Sequence, residues 1–145
     1  MQSRSELIWI IGASEGIGAA LAREWASRGA RLILSARSPE RLNELAGEFG
    51  PDHLSMPVDV SNRSALNAVA AKIAGFGRLD RVIHLAALYD PGKISEVDPD
   101  VAAQIVSVNL TGSFNIARVA PPLLRKGGQL ALCGSVAGYI GLPQG

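Results

Sequence analysis

One cysteine, Cys133, is all the thiol this chain carries. A lone cysteine excludes an internal disulfide framework and suits a reducing compartment, so a cytoplasmic protein is expected. Charge is also missing: 14 basic and 13 acidic residues leave a net +1. No basic stripe stands behind that figure, which argues against nucleic acid and anionic membrane as partners. Aromatic residues are scarce, at 5% beside 16 glycines, a balance still ordinary for a soluble α/β protein. The apolar run near the N-terminus, Leu7 to Ile11, is too short to span a membrane. Glu6 precedes it and a glycine loop follows at once, which is not a secretory layout. No linker or low-complexity stretch divides the chain. Residues 1–145 read as one domain, with no metal-ligand set assigned.

What is present is concentrated between Ile11 and Gly18, Ile-Gly-Ala-Ser-Glu-Gly-Ile-Gly. It joins the apolar run to a helical pattern over 17–28, where Ile17, Leu21 and Trp25 recur every fourth residue. A strand, a glycine turn and a helix in that order make a phosphate cradle. Glycine permits the tight turn and close approach of an anion, and free N–H groups at the helix start face it. The spacing is Gly12-x-x-x-Gly16-x-Gly18, not the commoner G-x-G-x-x-G.

Strand–helix units then repeat. Strands are expected at Arg31–Ala36, His53–Val58, Leu79–Ala86 and Gln129–Cys133. Helices are expected after Ser38-Pro39, after a Ser61 cap, and from Asp98-Pro99 to about Val119, with Gly127-Gly128 turning the chain into the last strand. The alternation implies an α/β fold, a doubly wound parallel sheet with helices on both faces. Ligands in such sheets bind beyond the carboxyl ends of strands. The glycine loop, Asp59, Ala86 and Ser135 all fall on that edge.

Several residues admit two readings. Asp59 can receive a ligand's hydrogen bond or simply start the turn to the next helix. At the end of the second strand, an acid would favour a ribose 2′-hydroxyl. Arg37 stands there instead, a fork suited to a 2′-phosphate or a solvated loop cation. Arg41 could assist or face water, and Glu15 counts against a phosphate nearby. His84 reads best as a hydrogen-bonded core histidine. Asn109, inside the long helical pattern, is an unusual interior residue.

In this order the motifs resemble the short-chain dehydrogenase/reductase family of the short-domain type, over essentially the whole chain. The resemblance implies a Rossmann-like fold and a nicotinamide dinucleotide held by Gly12, Ser14, Glu15, Gly16, Ile17 and Gly18. Ile11 replaces the family's usual Thr. The resemblance assigns Asp59 to the adenine amino group and Val60 to the side of the ring. Ala86 is the one match to the family's Asn-Asn-Ala-Gly, where His84, Leu85 and Ala87 replace the rest. Asn109 would hold a water of the proton relay, and Ser135 would hydrogen-bond a carbonyl or alcohol substrate. Arg37 inclines the expectation to NADP, with NAD the alternative.

The family's acid/base pair is Tyr-x-x-x-Lys on a helix following the serine. Tyr139 is followed four places on by Pro143. Tyr89 and Lys93 have the spacing but lie across a Pro-Gly turn, where the two cannot share a helical face. The expectation is therefore the cofactor-binding part of an oxidoreductase, cut off before its catalytic pair and last strands. Such an enzyme would pair into a homo-oligomer through the long helix and the one after it when full length. A non-catalytic dinucleotide sensor and an interaction module are the alternatives.

Overall fold

The computed structural model describes residues 5–141. Five parallel strands form one sheet in the order β3-β2-β1-β4-β5. They are β1 (Leu7–Ile11), β2 (Arg31–Ser35), β3 (Leu54–Ser55), β4 (Leu79–His84) and β5 (Leu124–Leu132). The helices are α1 (Gly16–Ser27), α2 (Pro39–Phe49), α3 (Arg63–Ala74), α4 (Pro99–Ile105) and α5 (Ser113–Val119), with a π-helical segment, Val106–Gly112, joining the last two.

The continuous apolar run of β1 follows from its central place, because all five residues are buried and alternate between two cores. Trp9 and Ile11 pack with Ile33 and Val82 against Leu66, Val69 and Ile73 of α3 and Ile116 of α5. Ile8 and Ile10 pack with Leu32 and Leu34 against Ala19 and Ala22 of α1 and Leu42 and Leu45 of α2. A strand covered on both faces has no polar side to show. The Trp9 indole donates to Ser35 Oγ at 2.9 Å, and that hydroxyl donates to Met56 O at 2.7 Å. The one polar atom of the buried ring thereby ties three neighbouring segments together.

Several expected boundaries move. β2 and β4 end early, at Ser35 and His84, and the long helix expected to about Val119 is broken by the π-helical segment. The third strand is expected over 53–58 but pairs fully only at Leu54 and Ser55. Met56 and Val58 still donate to Leu34 O and Ala36 O, while Pro57 between them has no N–H to give. The cap of α3 is Asn62, whose side chain accepts from Ala65 N at 3.0 Å. Ser61 instead turns both its N–H and its hydroxyl to Asp59 Oδ1. The expected turn at Gly127-Gly128 is a bulge inside β5. Pairing steps from Leu79–Leu124 to Arg81–Gln129, with Gly127 at φ 78°. Leu142 to Gly145, and with them the Pro143 that stands four places after Tyr139, lie outside the described residues.

Sequence neighbours β1, β2 and β3 run one way across the sheet, and β4 and β5 run the other. The chain therefore reverses between β1 and β4, and a crevice opens beyond the carboxyl ends of these two strands.

Candidate cofactor site

The turn after β1 is built by glycine at positions that accept nothing larger. Gly12 has φ 86°, and a Cβ there would stand 2.6 Å from Ala86 N and 2.8 Å from Leu85 C. A Cβ on Gly18 would stand 2.0 Å from Gly12 O. These two glycines let the β1 turn, the β4 turn and the start of α1 meet backbone to backbone. Gly16 differs: its φ is 54° and a Cβ would meet nothing within 4 Å. The turn is anchored from β2, since Gly12 N and Ala13 N both donate to Ser35 O, at 2.7 and 3.1 Å.

A cavity of about 340 Å³ occupies the crevice, within the range of small-molecule sites. Gly12, Ser14, Glu15, Ile17 and Gly18 line one wall. Ala36, Arg37, Ser38 and Arg41 line the wall beyond β2, and Asp59 and Val60 the wall beyond β3. Leu85 to Leu88 close it beyond β4, with Val108 and Cys133 at the far side. Gly16 only shapes the turn. Nine of the ten residues expected to hold the cofactor thus converge here, from four strand ends.

Asp59 starts the turn and still keeps an acceptor at the cavity wall. Oδ1 accepts from Ser61 N at 2.8 Å and Ser61 Oγ at 2.7 Å, which fixes the turn. Oδ2 has no such partner among the described residues and stays available at the cavity wall. Arg37 is exposed, lines the cavity and has no ion pair among the described residues. Arg41, from the first turn of α2, pairs with Glu15 across 26 residues of sequence. No local pattern announces that pair, because it exists only once α1 and α2 lie side by side.

Asn109 lies in the π-helical segment rather than on the cavity wall. Its Oδ1 accepts from Leu88 N and its Nδ2 donates to Leu88 O, both at 2.7 Å. The side chain thus copies a strand partner and pins the loop that closes the cavity. Leu88 was not legible as a site residue, since its part is played by its backbone. Ser135 is exposed, off the cavity wall, and accepts from Ala137 N at 3.1 Å at the head of a short 3₁₀ turn, Val136–Gly138. Cys133, two residues earlier, reaches the cavity and is a free, exposed thiol.

His84 is 2% exposed. Its Nε2 lies 3.1 Å from Ser113 Oγ, and that hydroxyl donates to Asn109 O at 2.6 Å. With the hydroxyl proton committed, Nε2 must carry the imidazole hydrogen. Nδ1 has no partner among the described residues, and burial holds the imidazole pKa below its ordinary 6.5. The core reading of His84 holds for one nitrogen and not for the other. Tyr89 is 72% exposed and Lys93 pairs with Glu96, so the Tyr-Lys spacing in that loop does not assemble a pair. Among the described residues no cluster could hold a metal ion, and no helix is long and apolar enough to cross a membrane.

Sheet order, glycine turn and crevice together define a Rossmann-like α/β domain. The family model for short chain dehydrogenases matches residues 6–145, so the chain belongs to that family. It is 34% identical over 141 residues to oxidoreductase BOA17 of Botryotinia fuckeliana, covering 94% of this chain and 52% of that protein. It is 30% identical over 141 residues to 2,3-dihydro-2,3-dihydroxybenzoate dehydrogenase of Bacillus subtilis, covering 93% and 54%. The crystal structure of a short chain dehydrogenase from Salmonella enterica serovar Typhi superposes with a TM-score of 0.85 at 30% identity, over 97% of this chain and 62% of that one. The chain spans about half the length of the curated relatives it matches.

Proposed function

We propose that the chain is the cofactor-binding portion of an NADP-preferring oxidoreductase acting on a carbonyl or secondary alcohol. Arg37 at the end of β2, with no ion pair among the described residues and no acid waiting there for a 2′-hydroxyl, carries this reading. When bound, the nicotinamide supplies or accepts the hydride. The chain's own residues hold and orient it. The turn at Gly12, Ser14, Gly16 and Gly18 leaves backbone room for the pyrophosphate at the start of α1, with Ile17 and Ala86 as apolar walls. Asp59 offers Oδ2 to the adenine amino group and Val60 flanks the ring. Asn109 fixes the closing loop and, with Ser135, contributes to catalysis in the complete enzyme, a cytoplasmic homo-oligomer.

Calorimetry of the 145-residue chain with NADP⁺ and NAD⁺ tests this. The expected result is binding of both, with NADP⁺ tighter by about tenfold, the worth of one charge-assisted contact. Binding of neither, or tighter binding of NAD⁺, overturns it. A second reading, a dinucleotide sensor without turnover, is favoured by His84, Leu85 and Ala87 in place of the family's two asparagines and glycine. Ketone reduction by the whole gene product would remove it.

A further inference from the structure

Glu15 occupies the N-cap position of α1, yet its side chain makes no capping bond. Its carboxylate instead pairs with Arg41. A carboxylate offers a guanidinium the same oxygen acceptors as a phosphate ester. Both partners line the cavity, and their side chains are 74% and 59% exposed. Arg37, on the same wall, has no such partner among the described residues. The β2 end of the cavity thus holds two guanidinium groups, one free and one already occupied by an anion of the chain itself. Of the other acids nearby, Glu40 accepts from Ser38 Oγ at 3.1 Å and Asp59 accepts from Ser61.

We propose that Glu15 masks Arg41, and that this pair sets how strongly the chain distinguishes a dinucleotide bearing a 2′-phosphate from one without it. The proposal rests on the reading that the cavity takes a dinucleotide. With the mask in place, an incoming phosphate meets one free cation, one neutralised cation and the repulsion of Glu15. An exposed pair is weak and screened by salt. Arg41 can therefore change partners once Glu15 is neutral. Two guanidinium forks would then face the 2′-phosphate, while a 2′-hydroxyl gains nothing from the second.

The test measures NADP⁺ and NAD⁺ affinity by calorimetry at low salt for the wild-type chain, Glu15→Gln, Arg41→Gln and the double variant. Because Glu15 caps no backbone N–H, its replacement should leave the unfolding midpoint in place. Glu15→Gln should raise the ratio of NADP⁺ to NAD⁺ affinity by about tenfold, the scale of one charge-assisted contact. Arg41→Gln should lower the ratio below wild type, and the double variant should lose the gain. An unchanged ratio in Glu15→Gln overturns the proposal. So does an equal rise in the double variant, which would make Glu15 a simple repeller with no hold on Arg41. If the wild-type chain binds neither dinucleotide, the functional reading fails first and the mask falls with it. Wild-type binding with an indifferent Glu15→Gln sinks the mask alone.

Discussion

A Cβ at Gly18 and a Cβ at Gly16 would have opposite fates, although both glycines belong to one motif. At Gly18 the new atom lands 2.0 Å from a backbone oxygen, which no rotamer can relieve. Gly18→Ala should cost at least about 3 kcal/mol and abolish dinucleotide binding. At Gly16 the surroundings are empty and only the left-handed backbone resists, so Gly16→Ala should cost about 1–2 kcal/mol. Urea unfolding of the two variants checks the contrast. His84 gives a second outcome at this scale. Burial lowers its pKa, and that of His53 is lowered with burial the chief cause. Below pH 6.5 the unfolded chain takes up protons that these native side chains refuse. Their contribution to stability is therefore complete above that pH and is lost as pH falls. His84→Asn should flatten the decline between pH 7 and 5 by at most about 1.4 kcal/mol per pH unit, measured by unfolding at both pH values.

Among the elements, β1, α1 and β2 were legible almost to the residue, because burial on both faces and helical periodicity act locally. The cap of α2 was legible for the same reason: Ser38 accepts from Arg41 N just ahead of Pro39. What escaped depends on partners distant in sequence. A single helix from Pro99 to Val119 was expected, and the structure breaks it with the π-helical segment. Gly112 explains the need for close approach there, since a Cβ would stand 2.5 Å from Val60 Cγ2, and Asn115 Nδ2 donates to Val60 O at 3.0 Å. The wider turn also presents Asn109 to Leu88. Periodicity cannot show a widened turn, whereas an interior Asn hinted at one. Asn109→Ala removes both bonds to Leu88 and should cost about 1–3 kcal/mol. It should also accelerate hydrogen exchange at the Leu88 amide, with little change at β1 amides.

Across the whole molecule, one acid ties the sheet together. Asp80 is 4% exposed, accepts from Leu7 N at 2.8 Å through Oδ2, and holds Arg125 through Oδ1. β4 is thereby bound to the starts of both β1 and β5. Asp80→Ala leaves the Leu7 amide without its acceptor and releases a half-exposed Arg125, and should cost about 1–3 kcal/mol. Asp80→Asn keeps an acceptor and should cost less, as paired urea titrations would show. The sequence announced the sheet but not this clasp, which spans 73 residues. The candidate site was readable to the extent that its residues directly follow strands. Where function depends on contacts between elements, as for Glu15 with Arg41, one-dimensional pattern carried no signal.

Cys133 stands at the cavity rim as the chain's only thiol. A single fluorophore attached by maleimide chemistry therefore goes to one place, with no second label to deconvolute. Its emission would report filling of the crevice directly, on nanomolar amounts of protein and on a millisecond clock. The same attachment point would fix every molecule on a sensor surface in one orientation.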